Sequence, residues 1–349
     1  MNLLVKRGPL SDKELLAIGA TYGTIDERYA SVEFCRILFN ENPIGYSFHV
    51  FVLNDTAQIV GHYAVIPIRI TINKRLALSG KGEALYLADE YRNSVVEYCN
   101  STIPTGIALM NAAHDFAMAS GITVLHNITR SDVGIIQRIA GFRHLQISRD
   151  AYYYIIDASR VNSFQVSAKL KLAGKLLQVG NQTLYRLARL RLGRKTTQSI
   201  QVLPGIQPDA DRQVGLSEES DPRWRVSSDK ETVRWYEQLG TFNSYLSPDG
   251  CRMITRSLRG HAFVAVWPYG DSIRFQRALL LSAIQNAIDT KQISFSIPTA
   301  TVKKHESLEI CTKRLGFVMR SVVTNLYVKS DDPFFSEASN IHYDTFFNL

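Results

Sequence analysis

Carboxylates lie at both ends of a short apolar run in the first third of the chain. Glu83 and Asp89 bound this run, and the period of two along a strand places both side chains on one face. Glu97 lies eight residues beyond Asp89, and Ser79 precedes the run. Carboxylates in such positions can accept a proton or position a cationic group. The alternative interpretation is that Asp89 is a turn or cap residue and that Glu97 is solvated.

Two strands and a helix are expected to position these side chains. The run 59–67 is an apolar, β-rich strand that follows turn residues, and the run 83–89 is a second strand. A helical pattern then starts near Pro104, with Gly106 in its first turn. Free backbone N–H groups at a helix start, with a glycine that allows close approach, favour a phosphate-bearing ligand.

Four short motifs, at 89–92, 103–108, 127 and 141–142, together resemble the GNAT-type (GCN5-related) N-acyltransferases. Segment 103–108, Ile-Pro-Thr-Gly-Ile-Ala, matches the glycine and the final small residue of the family's phosphate loop, but it lacks the leading Gln or Arg. Segment 89–92, Asp-Glu-Tyr-Arg, matches the family's D/E-x-Y-R motif at the end of the strand that precedes the phosphate loop. Asn127 matches an Asn near the end of the next strand, and Gly141-Phe142 matches the Gly-Phe after the next helix. The resemblance covers about residues 1–155.

The resemblance implies acyl-CoA as cosubstrate and attack of a neutral amine on its thioester. It assigns Asp89 and Glu97 to position and deprotonate the acceptor ammonium, with Glu83 and Ser79 as further polar contacts. The implied coenzyme-binding residues are Leu85, Tyr86, Leu87, Thr105, Gly106, Ile107, Ala108 and Asn127. Backbone N–H groups near Tyr86 and Leu87 are expected to hydrogen-bond to the oxyanion that develops on the thioester carbonyl during the reaction. The helical stretch 133–140 has no Tyr to protonate the leaving thiolate, so proton return to the thiolate is expected to come from the amine.

The histidines and cysteines do not form a recognisable metal or disulfide pattern. The four cysteines, Cys35, Cys99, Cys251 and Cys311, have no C-x-x-C spacing, which favours a reducing cytosol. We therefore expect no metal. His62 and His126 lie on strands near the expected site, where they either line it or are satisfied core residues.

Length and composition predict a soluble protein of two domains. A chain of 349 residues exceeds the size at which one core usually stops growing, and 45% hydrophobic and 21% charged residues are ordinary for globular proteins. The first residues lack a signal-type apolar region, and no segment is long and apolar enough to span a membrane. We expect a cytoplasmic protein.

One segment carries the basic charge of the chain. The net charge is +8, and nine lysines and arginines with no Asp or Glu lie between Arg160 and Pro208. Leucines alternate with the cations in 168–193, as in an amphipathic helix or a pair of helices broken near Gly180. Three interpretations stay open for 168–195: a solvated connector, peripheral contact with anionic lipid, and nucleic-acid binding. Nucleic-acid binding is the least favoured, because no recognised nucleic-acid-binding motif accompanies the charges.

The second half repeats the strand and helix order of the first, and both copies end a helix on Gly-Phe. The fold class predicted is therefore α/β (α+β), with two GNAT-like domains that each contain a mixed, largely antiparallel twisted sheet flanked by helices. The predicted segments are a catalytic domain at 1–157, a basic helical connector and linker at 158–215, and a degenerate copy at 216–349. Asp271 before the helix of the second copy would repel a pyrophosphate, so this copy is expected to form a wall of the acceptor cleft.

The paired domains and the short basic connector resemble bacterial sugar N-acyltransferases. The expected reaction is transfer of an acyl group to a nucleotide-linked amino sugar, such as dTDP-4-amino-4,6-dideoxyglucose, in surface polysaccharide biosynthesis. Two alternatives stay open at this point: a peptidyltransferase-like enzyme that uses aminoacyl-tRNA, and a non-catalytic scaffold at a membrane surface.

Overall fold

A computed structural model describes residues 1–72, 75–128, 134–160, 168–192, 199–206, 225–226, 229–258, 260–266, 273–298, 309 and 312–331. The chain forms two compact units, each assembled from separate stretches of sequence. Unit 1 comprises Met1–Ile147, Glu219–Leu239 and Thr324–Leu349, and unit 2 comprises Ser148–Glu218 and Gly240–Val323.

Unit 1 is built on a mixed sheet, and among its described strands one neighbouring pair is parallel. Its path is β1-β2-β3-β4-β7-β15, and β4 and β7 are the parallel pair. The strands are β1 Asn2–Arg7, β2 Phe48–Leu53, β3 Ile59–Ile72, β4 Arg75–Leu87, β7 Val124–Ile128 and the end of β15, Val318–Ser330. A short strand, β10 Arg225–Val226, pairs with β3, and β5 Val95–Tyr98 and β6 Ser101–Pro104 form a separate hairpin.

The described part of unit 1 also contains the helices α1 Asp12–Tyr22, α2 Val32–Asn40, α3 Thr105–Ala119, α4 Gly134–Ile139 and α6 Lys230–Leu239. The first begins at a capping box, in which Ser11 and Glu14 satisfy each other's backbone N–H groups. Helix α3 connects the parallel strands β4 and β7, as a parallel pair requires. It packs through small and aliphatic residues on the apolar side chains of β2 and β3.

Unit 2 repeats this arrangement around a second parallel pair. Its path is β8-β14-β13-β12-β11-β9, and β13 and β14 are parallel. The strands are β8 Arg143–Ile155, β9 Gln201–Pro204, β11 Thr241–Leu246, β12 Arg252–Leu258, β13 His261–Val266 and β14 Ser294–Pro298. Helix α7, Ile273–Asp289, connects the parallel pair, and α5 is one helix over Ala168–Leu192 that continues through Gly180. The predicted mixed α/β class and the basic helical segment are confirmed.

The last strand of each sequence half extends into both units. Residues 151–155 of β8 pair with β14 in unit 2, whereas residues 326–330 of β15 pair with β7 in unit 1. The sequence predicted three consecutive segments, 1–157, 158–215 and 216–349, and these stay a prediction. Each compact unit contains residues from more than one of them, because β8 and β15 each extend into both units. The predicted loop around Asp271 and the tail after 331 lie outside the described residues.

Among the described residues, no helix combines the length and the apolar character needed to cross a bilayer.

Candidate active site

The parallel pairing of β4 and β7 is short and defines where an extended ligand can enter the sheet of unit 1. The ladder joins Ser79, Gly80 and Lys81 to Val124, Leu125 and His126. Beyond Lys81, β4 continues to Leu87 without a further described partner on this edge. This edge is therefore a candidate for backbone pairing with an extended ligand.

A β-bulge changes the direction of the side chains just beyond the ladder. The register of β3 and β4 shifts between His62 and Ala64, and Ala84 on β4 adopts a positive φ of 53°. Leu85 and Leu87, predicted to contact the coenzyme, consequently pack with the core on the α3 side of the sheet. The bulge thus separates the polar positions 79–83 from the apolar end of the strand.

Helix α3 follows β4 and the β5–β6 hairpin along the chain. Thr105 is its first residue, and no side chain caps the helix. The Thr105 N–H donates to the Ser94 carbonyl, at 2.9 Å, and the two side-chain hydroxyls are 2.7 Å apart. A methyl group added at Gly106 would meet no atom within 4 Å. In this first turn, which contains the predicted Ile107 and Ala108, the N–H groups of Gly106 and Ile107 have no partner within the helix, so the turn is a candidate to bind a phosphate group.

A buried ion pair lies on β4 at the end of the ladder. Lys81 and Glu83 are two residues apart, so their side chains share one face of the strand, and the Lys81 ammonium contacts the Glu83 carboxylate. The side chains are 5% and 15% exposed, respectively. The pair therefore holds the Glu83 carboxylate next to the end of the ladder.

Tyr29 holds the second oxygen of this carboxylate. Its hydroxyl donates to Glu83 Oε2 at 2.9 Å, and burial together with the Glu83 charge raises the pKa of Tyr29 well above its usual value. Tyr29 lies in a 3₁₀ turn, Glu27–Ala30, that starts at Asp26. The Asp26 carboxylate is paired with Arg28 at 2.7 Å, which stabilises that turn. Glu83 is thus oriented by two fixed partners.

Ser79, a predicted polar contact, is buried within the ladder. Its hydroxyl lies 2.7 Å from His126 Nδ1 and 3.1 Å from the Val124 carbonyl oxygen. Burial, together with the Lys81 charge, lowers the pKa of His126 well below its usual value, so this histidine is neutral at pH 7. Ser79 therefore joins β4 to β7 through side-chain contacts.

The two other predicted carboxylates lie in different surroundings. Asp89 is in a 3₁₀ turn directly after β4, is 83% exposed and pairs with Arg92 at 2.6 Å. Glu97 is an exposed residue of β5, which forms a hairpin with β6. The structure describes no hydrogen bond or ion pair between either of them and Glu83.

Asn127 belongs to a buried hydrogen-bond network on the opposite face of β4. Its Oδ1 accepts from the Tyr63 hydroxyl at 3.1 Å, and its Nδ2 donates to Gln137 Oε1 at 2.7 Å. Tyr63 Oη also lies 3.0 Å from His114 Nε2. Because the tyrosine has a single proton, His114 is the donor in that contact. The polar atoms predicted to meet the coenzyme are therefore engaged within the protein.

Gly82 is the residue that makes room for this network. A Cβ built on Gly82 would lie 1.7 Å from Asn127 Oδ1 and 2.0 Å from Tyr63 Oη. Any side chain there would displace both groups. A glycine inside a strand is the one sequence signal that could have revealed the network, because it marks a close approach of another group to the backbone.

No protein-family model and no curated protein matches this sequence. Solved structures do match its fold. A tandem GNAT protein from the clavulanic acid biosynthesis pathway superposes with a TM-score of 0.52 at 10% identity, covering 95% of this chain and 99% of that one. The chain has a tandem GNAT fold. A GCN5-related N-acetyltransferase from Kribbella flavida matches with a TM-score of 0.51 at 12% identity, covering 93% of this chain and 71% of that one.

Saccharomyces cerevisiae N-myristoyltransferase, solved with myristoyl-CoA, also has this fold. It matches with a TM-score of 0.52 at 10% identity over 94% of this chain and 83% of that one. The predicted GNAT-like fold is thus confirmed, with β4, α3 and β7 of unit 1 as the strand, helix and parallel strand that the sequence motifs indicated. At such identities the likeness shows the fold.

Proposed function

We propose that the protein is an acyl-CoA-dependent N-acyltransferase whose reaction takes place in unit 1. The observation that supports this most is the Lys81–Glu83 pair, which lies on β4 directly beyond the last paired residues of the parallel ladder. A buried carboxylate with two fixed partners, beside a strand edge open to a ligand, is suited to receive a proton from an amine.

The chain's own residues provide both binding and proton transfer. Acyl-CoA, when bound, supplies an acyl group activated as a thioester. The first turn of α3 binds its phosphates through the backbone N–H groups of Gly106 and Ile107, and the edge of β4 at Leu85–Leu87 supports its extended part. The use of acyl-CoA is consistent with the fold relative from yeast, whose structure holds myristoyl-CoA.

Glu83 takes the proton that the acceptor ammonium must lose before nitrogen can attack the acyl carbon. The C–N bond forms as the C–S bond breaks, the electron pair of the broken bond leaves with sulfur, and the thiolate takes the second proton that the nitrogen loses. The products are the amide and the coenzyme A thiol. The contacts of Glu83 with Lys81 and Tyr29 fix the orientation of its carboxylate. Asp89 and Glu97, exposed after β4, remain candidates to attract the cationic acceptor before it reaches Glu83.

The acceptor that we propose is a nucleotide-linked amino sugar, handled in the cytoplasm during surface polysaccharide biosynthesis. This part of the proposal rests on the resemblance of the sequence to bacterial sugar N-acyltransferases. A sugar amine is a small acceptor that one carboxylate can deprotonate, in line with the single buried carboxylate on β4.

The test is release of free coenzyme A thiol from acetyl-CoA in the presence of a panel of amines. The panel contains nucleotide-linked 4-amino sugars, free amino sugars, amino acids and aminoacyl-tRNA. Acceptor-dependent thiol release with a nucleotide amino sugar is the expected result. Activity only with aminoacyl-tRNA would overturn the acceptor, and thiol release with none of these amines, alongside no binding of coenzyme A, would overturn the function.

A further inference from the structure

One side of helix α5 holds this helix on unit 2. Asn181 and Tyr185 are buried, the Tyr185 hydroxyl donates to Gln285 Oε1 at 2.8 Å, and the Tyr154 hydroxyl donates to the Asn181 carbonyl at 2.8 Å. These contacts involve two successive turns of the helix. They fix its rotation and so determine which side chains face outwards.

The opposite side of the helix exposes large apolar residues. Leu176, Val179, Leu187 and Leu190, here called the α5 stripe, are 66%, 62%, 47% and 78% exposed. At 3.6 residues per turn, these four positions fall within an arc of about 80° that is turned away from the buried side. Exposed apolar side chains that occur singly are ordinary, but four aligned on one helix form a patch.

Cations border the α5 stripe on both sides. Lys175 and Arg186 lie along one edge and Arg191 lies along the other, all three exposed and none in an ion pair with a described residue. The surrounding sequence, 160–208, contains no Asp or Glu at all. The stripe is therefore an apolar surface bordered by cationic side chains, on a helix that has no acidic residue.

We propose that the α5 stripe binds the surface of an anionic phospholipid bilayer. An apolar stripe bordered by Lys and Arg is the pattern of helices that lie in the interface, with the leucines among the acyl chains and the cations at the headgroups. A second copy of this chain is a poorer occupant, because two facing stripes would bring like charges together without a carboxylate between them. This inference is independent of the acyltransferase reaction.

The experiment is co-sedimentation of the full chain with vesicles of phosphatidylcholine alone and of phosphatidylcholine with phosphatidylglycerol. We expect binding to the anionic vesicles, and at least about tenfold weaker binding to the neutral ones because the cations contribute a large share. The double variant Leu187→Ser/Leu190→Ser and the triple variant Lys175→Gln/Arg186→Gln/Arg191→Gln should each weaken binding by about tenfold or more. All of these side chains are exposed, so the melting temperature should not change.

Matched controls come from exposed positions of α1 in unit 1. Leu16→Ser removes an exposed leucine and Lys13→Gln removes an exposed cation, and both should bind vesicles as the unchanged chain does. In a further variant, Leu190→Trp, the emission of the new tryptophan should shift to shorter wavelength with anionic vesicles.

Three results would overturn the proposal. The first is equal binding of the stripe variants and the controls, which would place the lipid contact elsewhere. The second is no binding to anionic vesicles. The third is sedimentation of the chain as a dimer that Leu187→Ser/Leu190→Ser dissociates, which would assign the stripe to a second copy.

Discussion

The hydroxyl of Tyr29 donates a hydrogen bond of 2.9 Å to the carboxylate of Glu83, 54 residues further along the chain. The other oxygen of that carboxylate contacts the Lys81 ammonium. One turn before α2 and one strand of the sheet thus fix a single acid side chain where the β4–β7 ladder ends. The proposed chemistry depends on this carboxylate.

Removing the Glu83 carboxylate should abolish turnover and also destabilise the fold. Glu83→Gln leaves the Lys81 ammonium buried without its carboxylate, which costs about 3 kcal/mol in the free energy of unfolding. Turnover should fall about 10²- to 10⁴-fold, the range that a general base supplies. Urea unfolding and thiol release, measured on the same preparation, give the two quantities.

The double variant Lys81→Met/Glu83→Gln separates these two effects. It removes both charges, so stability should recover most of the loss while activity stays low. Glu41→Gln, at an exposed carboxylate of unit 1, is the matched control and should change neither. Activity of the double variant near that of the unchanged chain would remove Glu83 from the mechanism.

Tyr29→Phe should lower turnover without abolishing it. The Tyr29 hydroxyl holds one oxygen of the Glu83 carboxylate, so its loss leaves that carboxylate oriented by Lys81 alone. We expect kcat to fall by about tenfold, which corresponds to the loss of one hydrogen bond to a charged group, while KM for acetyl-CoA stays unchanged. Tyr46→Phe serves as the control, and an unchanged kcat in Tyr29→Phe would show that Tyr29 has only a structural role.

Buried histidines should make the protein sensitive to acid. Burial lowers the pKa of His62 and of His114 to about 3, and it lowers that of His49, whose Nδ1 lies 3.2 Å from His62 Nε2. Lys6 also lowers the pKa of His49, whereas Glu14 and the Ala84 backbone oppose the shift of His62. In the unfolded chain these groups titrate near 6.5.

The unfolded state therefore binds more protons than the folded state below about pH 6.5, and stability falls as the pH decreases through this range. The urea midpoint should be highest near pH 7 and fall steadily towards pH 4. His49→Phe/His62→Phe, next to the rings of Phe39 and Phe51, should reduce this dependence on pH. An unchanged slope in that variant would assign the acid sensitivity to other groups.

Two glycines near the site should respond in opposite ways to a methyl group. Gly82→Ala places a Cβ on Asn127 and Tyr63, so we expect a loss of stability of several kcal/mol through a displaced buried network. Gly106→Ala meets open space in the first turn of α3 and should leave the melting temperature unchanged or slightly raised. If phosphate groups approach there, Gly106→Ala should nevertheless weaken coenzyme A binding, and unchanged affinity would place the phosphates elsewhere.

The sequence predicted local features of the site well, because they depend on neighbouring residues. The strand that ends near Asp89, the helix that starts near Gly106 and the following strand with Asn127 all follow from local apolar patterns and turn residues. The role of Lys81 was missed, since lysines are usually solvated and only the strand register places its side chain beside Glu83.

Contacts between residues that are distant in the sequence could not be predicted from local sequence patterns. Nothing local links Tyr29 to Glu83. The pairing of β8 with β14 and of β15 with β7 could not be predicted either. The apolar patterns of β8 and β15 would be the same whichever sheet they completed. The exposure of Asp89 depends on the turn after β4, which directs its side chain to Arg92 and solvent.

The most direct test of the account is a thermal-shift titration of the full chain with acetyl-CoA and coenzyme A. A ligand that binds only the folded state raises the melting temperature in proportion to the logarithm of its excess over Kd. We predict a saturable increase with both ligands, smaller in Gly106→Ala. No increase at millimolar concentrations of either ligand would contradict the proposal that this chain uses acyl-CoA.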